Sequence, residues 1–288
     1  MEAESLRAHT ALRHGFTDTA DGQIHFLTAG EGNPLVLLPH GGRSSRMYRE
    51  LALVLSRHCK VVALDPPGTG ESFLPDEPRT IPELAETLHQ AAIATAGPLY
   101  TLYGMNGGNK LGAAIAAAHP EAIAGFIFAG LTHSIVLSND GRGTTLGKHP
   151  SVKALLSTDD KASSASQWME QARAATVFAP DKPAGQAIDE AIDRLQAIRY
   201  RRHFYRAVTA YDLEGALRSL AVPLAILEFA TAKEDAQIGR QASKLAAELA
   251  ALAELVIELP PDAAVSLEDR PGELAAAIVS LRDALRGG

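Results

Sequence analysis

Two rhythms of apolar residues alternate along this chain. Gln23 to Ala29 and Pro34 to Pro39 are short apolar runs parted by Gly30-Glu31-Gly32-Asn33, and they read as adjacent strands of a hairpin-like start. Beyond them the spacing changes. Met47 to Arg57 places apolar residues at helical intervals, Lys60 to Asp65 is a short β-branched strand, Ile81 to Ala96 is helical and Leu99 to Gly104 is a strand. Gly107 to His119 is helical again, and Ile123 to Ala129 is a strand with no polar residue. Strands and helices in turn, with the strands apolar throughout, predict βαβ units and a parallel sheet covered on both faces.

From about Leu131 to Tyr211 this alternation stops. The segment holds Asn139-Asp140-Gly141, the stretch Ser163 to Ser166, and helical patterns near Gln167 to Thr176 and Gln186 to Ala207, which together predict an inserted helical subdomain. The alternation then resumes with a strand over Pro223 to Phe229, an Ala-rich helix over Ala236 to Ala251, a strand over Leu252 to Leu259 and a closing helix over Pro271 to Leu285. The expected organisation is a core of residues 1–130 and 212–288 with a helical cap over residues 131–211.

Composition narrows the function classes. A chain of 288 residues, 46% hydrophobic and 21% charged, can bury a full core, which argues against disorder. The net charge of −7 and the absence of a Lys/Arg block argue against nucleic acid and acidic membranes, leaving a small-molecule ligand or substrate as the expected partner. Met1 to Phe16 carries Glu2, Glu4, Arg7 and Arg13 and no apolar core, unlike a signal peptide. Apolar stretches such as Ala122 to Leu131 reach about half the ~18 residues that span a bilayer, so a cytoplasmic protein is expected. Cys59 is the one cysteine, which forbids an internal disulfide and speaks against a zinc cluster; a small buried hydrophobe is the expectation there. No cofactor or metal is expected.

Chemistry is concentrated at one turn. The strand Leu99 to Gly104 runs into Gly104-Met105-Asn106-Gly107-Gly108 and then a helix, the spacing of a GxSxG nucleophile elbow with Asn in place of Ser. Small residues permit the sharp turn that lifts the central side chain above the sheet. His40-Gly41-Gly42 ends the third strand, Asp65-Pro66-Pro67-Gly68-Thr69-Gly70-Glu71-Ser72 ends the fourth, and His119-Pro120-Glu121 closes the elbow helix. On these motifs the chain resembles the α/β-hydrolase superfamily, from about Gly22 to Phe128 and more loosely from Val222 to Leu285. The resemblance implies an α/β fold with a mostly parallel eight-stranded sheet, helices on both faces and an inserted helical cap. A Rossmann dinucleotide turn does not compete: Gly68-Thr69-Gly70 lacks a third glycine and follows the fourth strand rather than the first.

The same resemblance implies a triad, and its three positions are filled unexpectedly. Asn106 takes the nucleophile position, and a carboxamide is not activated by a general base as a hydroxyl is. The histidine position, about seven residues before Pro271, falls at Ala264, and no histidine follows His203. The acid position falls at Ala232, with Glu234 and Asp235 nearby. By resemblance the oxyanion donors are the backbone N–H groups of Gly42 and Gly107, which a side-chain change at Asn106 does not remove.

Two readings of Asn106 stand side by side: a ligand-binding or catalytic amide, or a residue that tolerates the strained turn, since Asn accepts positive φ. Gly41, Gly42, Met105 and Gly107, with Trp168 and Tyr200 from the cap, are the expected binding positions. His133 and His203 are the candidate replacement bases, and Tyr200, His203 and Tyr211 are placed to share a helix face above the sheet. His40, Asp65, Gly68, Gly70 and Ser72 read as structural, Arg201 and Arg202 as solvated. Two functions follow: an atypical enzyme of isomerase, lyase or cyclase type acting on a small carbonyl or carboxylate compound, or a pseudo-hydrolase that binds a small ligand without turnover.

Overall fold

A computed structural model describes residues 11–130, 184–231, 242–259, 267 and 269–287. Its strands are β1 (Arg13–Asp18), β2 (Gln23–Ala29), β3 (Pro34–Leu38), β4 (Lys60–Leu64), β5 (Tyr100–Met105), β6 (Ile123–Ala129), β7 (Leu224–Thr231) and β8 (Ala253–Leu259). The helices are α1 (Arg49–Leu55), α2 (Ile81–Ala96), α3 (Gly107–Ala118), α4 (Ala184–Ala210), α5 (Leu213–Arg218), α6 (Ala242–Glu248) and α7 (Pro271–Gly287). The predicted site positions His133, Trp168, Ala232 and Ala264, the predicted helix near Gln167 to Thr176 and most of the expected cap lie outside the described residues.

The eight strands form one sheet in the order β1-β2-β4-β3-β5-β6-β7-β8, parallel from β4 onward and antiparallel at β1/β2 and β2/β4. Alternate residues feed two separate cores. Val36, Leu38, Val62, Leu64, Leu102 and Phe126 pack with α2 and α3 on one face, while Leu35, Leu37, Val61, Ala63, Tyr103 and Ile127 pack with α1 and α7 on the other. A sheet covered on both faces requires apolar residues at every position, which is the pattern the strands show. Cys59 is buried in the second core at 1% exposure, as a small hydrophobe would be.

The hairpin-like start is corrected. β2 and β3 are not neighbours; β4 lies between them, and the hairpin joins β1 to β2 through Thr19, whose N–H and hydroxyl both donate to Gly22 O. The turn Gly30 to Asn33 carries the chain past a strand position instead of closing a pair, because the wholly buried Val61 to Leu64 needs a strand on each side. Helix α2 starts where its sequence dictates. Thr80 accepts from Glu83 N while Glu83 reaches back to Thr80 N, a reciprocal cap ahead of Ile81 and Pro82.

Candidate functional site at the strand–helix elbow

Strand β5 ends in a turn whose apex, Asn106, has φ 48° and ψ −105°. Such a backbone is uncommon for a residue with a Cβ and persists only where the surroundings determine it. Here they do. Asn106 N–H donates to Ala129 O (3.1 Å), and Asn109, 0% exposed, donates through Nδ2 to Ala129 O (2.6 Å) while its Oδ1 accepts from Ala129 N (3.2 Å). The small residues of the motif are obligatory. A Cβ on Gly104 would come within 2.8 Å of Gly108 O, and one on Gly108 within 2.4 Å of Leu38 O.

The Asn106 side chain turns toward Gly130, where a Cβ would sit 2.6 Å from Oδ1. That oxygen is buried, and among the described residues it has no hydrogen-bond partner. Met105 is fully buried beneath the elbow, among the residues packed on the α1 and α7 face. Gly41 and Gly42 lie in the loop after β3, close to the start of α3: a Cβ on Gly107 would approach Gly41 N at 2.8 Å. His40 Nδ1 donates to Gly41 O (2.8 Å), and burial, followed by the Arg194 charge, lowers its imidazole to about 4.

Helix α4 crosses the carboxyl end of the sheet. Its buried residues Asp193, Ala197, Tyr200, Phe204 and Val208 recur at helical spacing and form one stripe. The glycines below are what let it approach. A Cβ on Gly68 would lie 2.5 Å from Tyr200 Cβ, one on Gly41 2.8 Å from the Phe204 ring, and one on Gly107 3.3 Å from that ring. Tyr200 Oη accepts Arg79 N–H (2.9 Å). His203 stands to one side of this stripe, part-buried, its ring 5.6 Å from that of Tyr200 and its Nδ1 without a partner among the described residues. Tyr211 lies just beyond the helix, and burial raises its phenol to about 12. The structure thus gathers Gly41, Gly42, Asn106, Gly107 and Tyr200 beneath α4, and no hydrogen bond ties His203 Nδ1 to Asn106 Oδ1.

Three features were not foreseen from the sequence. An ionic clamp holds α4 to the loop after β3: Asp193 accepts from Arg43 Nε (3.2 Å), Ser44 N (3.2 Å), Ser44 Oγ and Arg46 Nη1 (2.9 Å), and Arg49 bonds Asp189 (3.0 Å). Asp65 is the centre of a second network, accepting from Ser45 N (2.6 Å), Glu71 N (2.9 Å) and His25 Nδ1 (2.9 Å). His25 Nε2 meets His14 Nδ1 at 3.1 Å, beside a cleft of about 170 Å³. The third is Lys110 on α3, 3% exposed, with its ammonium lowered to about 8 by burial. Its sequence signal was available: it is the only charged residue between Gly107 and Ala118.

A mostly parallel eight-stranded sheet with a strained strand–helix elbow at the carboxyl end of β5 defines an α/β-hydrolase scaffold. The chain belongs to the alpha/beta hydrolase family, whose profile matches residues 35–277. Among curated proteins it is similar to a 2-hydroxy-6-oxo-6-(2'-aminophenyl)hexa-2,4-dienoic acid hydrolase of Metapseudomonas resinovorans, 26% identical over 140 residues. That match covers 47% of this chain and 48% of the relative, so the chain spans about half the length of that protein. Solved structures that share the fold include the following two. The Cif epoxide hydrolase from Acinetobacter nosocomialis has a TM-score of 0.70 at 15% identity over 96% of this chain and 94% of its own. A membrane phospholipase A described as a bacterial virulence factor has a TM-score of 0.72 at 19% identity over 100% and 91%. Among the described residues no helix is long and apolar enough to cross a membrane.

Proposed function

We propose that this family member has lost the Ser/His/Asp triad and acts on a small carbonyl or carboxylate compound through a retained oxyanion hole, as an isomerase, lyase or cyclase rather than an ester hydrolase. The observation that carries this reading is the elbow itself. Asn106 occupies the strained apex with a buried carboxamide oxygen that has no partner among the described residues, beside the Gly41-Gly42 loop and the start of α3. A carboxamide offers two donors and an acceptor to an enol or enolate, and a buried acceptor left unpaired is costly unless a ligand satisfies it. The name of the curated relative supports the substrate class, since its substrate carries an oxo group and a carboxylic acid. Gly42 and Gly107 N–H groups are the donors we assign to the developing oxyanion.

A second reading, ligand binding without turnover, is favoured by Phe204, whose ring lies over Gly41 and Gly107. Phenylpyruvate in D2O separates the two. Protein-accelerated exchange of its methylene protons, falling at least tenfold in Asn106→Ala, is the expected result. Saturable binding with no exchange selects the silent binder. Neither binding nor exchange overturns both readings.

A further inference from the structure

The crest of the elbow is an Asn-Gly pair, and Asn is a thermolabile residue. The next main-chain nitrogen can attack an Asn side chain through a five-membered ring, which closes only when Cβ nearly eclipses that nitrogen about the Cα–C bond. In an L residue Cβ stands about 120° from N about this bond. At ψ −105° the Asn106 Cβ is therefore about 15° from the eclipsed position. A helical ψ of about −42° would leave it about 80° away, and an extended ψ of about 135° would leave it about 105° away. Of these backbones only the elbow's sits at the geometry of ring closure, and one rotation about Cα–Cβ completes it.

The reacting groups are not held back by other bonds. The Asn106 side chain makes no cap bond, and its Oδ1 has no partner among the described residues. Gly107 opens α3, so its N–H has no acceptor within the helix, and it carries no Cβ to shield the nitrogen. Both residues are part-exposed, which admits water.

We propose that the folded elbow drives its own modification, closing Asn106 on Gly107 to a succinimide that water opens to a carboxylate. Gly107 N gives its proton to solvent and bonds to Asn106 Cγ while the C=O π pair moves to Oδ1. That pair returns as the Cγ–Nδ2 bond breaks, and Nδ2 takes up a proton and leaves as ammonia. Water then adds to the imide. Breaking the bond from Cγ to N leaves an aspartyl residue, and breaking the bond from the main-chain carbonyl to N leaves an isoaspartyl one. A carboxylate accepts hydrogen bonds and donates none, so the enolate contact assigned to the carboxamide under Proposed function ends with the conversion. That consequence rests on the elbow reading; the modification itself does not.

The test compares the folded with the unfolded chain. The whole protein is held at mildly alkaline pH, with and without unfolding guanidinium chloride, and its peptides are mapped by mass for replacement of the amide NH2 by OH. Heavy-oxygen water marks the conversion that occurs during incubation. Asn33 precedes Pro34, which has no amide proton to give up, and Asn109 lies inside α3, so both serve as internal references. Presetting the backbone of one residue should make position 106 convert about tenfold faster in the folded protein than in the unfolded one. Such acceleration at position 106, absent from Asn106→Gln, whose ring would need six members, supports the proposal. Conversion that is equal or slower in the folded protein, or none, overturns it. Conversion that leaves phenylpyruvate exchange unchanged upholds the modification and defeats the elbow reading.

Discussion

Replacing Lys110 by methionine should make the protein more stable, and by an amount that depends on pH. Methionine fills similar volume without a charge to desolvate. Burial lowers the amine from 10.5 to about 8, and at about 1.4 kcal/mol per pH unit that difference is a deficit of about 3 kcal/mol near pH 7. The unfolded chain binds this proton more tightly than the folded one. Wild-type stability therefore carries the whole deficit below pH 8, recovers it as pH rises from 8 to 10.5, and has recovered all but about 1 kcal/mol by pH 10. With an unfolding entropy of about 2.1 cal/mol/K per residue, 288 residues give about 0.6 kcal/mol/K. Lys110→Met should then raise Tm by about 5 °C at pH 7 and by about 1–2 °C at pH 10. Scanning calorimetry of both proteins at the two pH values checks this, other titrations cancelling in the difference. A lower Tm for the variant, or a gain that does not shrink with pH, would refute the reasoning.

Removing the carboxylate at Asp193 takes one acceptor from Arg43 Nε, in a side chain 4% exposed, and the acceptor of the Ser44 N–H. Breaking a buried pair from one side costs about 3–5 kcal/mol, so Asp193→Ala should lower Tm by about 5–8 °C, and a loss under 1 °C in a thermal melt would show the clamp to be idle. Asn106→Ser should fold normally and still fail to hydrolyse p-nitrophenyl acetate above the wild-type rate, because no histidine follows His203. A hundredfold gain in ester hydrolysis would mean that a working base had been present all along.

Periodicity was informative where burial decides. Strands β4 to β6 and helices α2, α3 and α7 follow directly from runs that are either wholly apolar or apolar at helical intervals. Strand β1 gave no such sign: Arg13-His-Gly-Phe-Thr-Asp18 lies at the sheet edge, Phe16 is 55% exposed, and an edge strand needs little apolar content. The wrong neighbour for β2 has a related cause. Turn chemistry at Gly30 to Asn33 is local, whereas pairing with β4 is decided by residues some 35 positions away. At the site, the elbow was legible because its small residues are forced by contacts under 3 Å. The Arg43, Arg46 and Arg49 partners of Asp189 and Asp193 lie about 140 to 150 residues distant, and no short-range pattern couples them. Lys110 differs again, since a lone charge in an Ala/Gly helix was visible and reads as a surface residue until the helices above it are placed.

Asn109 holds both the carbonyl and the amide of Ala129, tying the end of β6 to the first turn of the elbow helix. The bend is thereby built by main-chain bonds and by Asn109, and the side chain at its crest caps nothing. Evolution can exchange hydroxyl, carboxylate or carboxamide there while the frame stays put, so a lineage on this scaffold is free to change its reaction before it changes its shape.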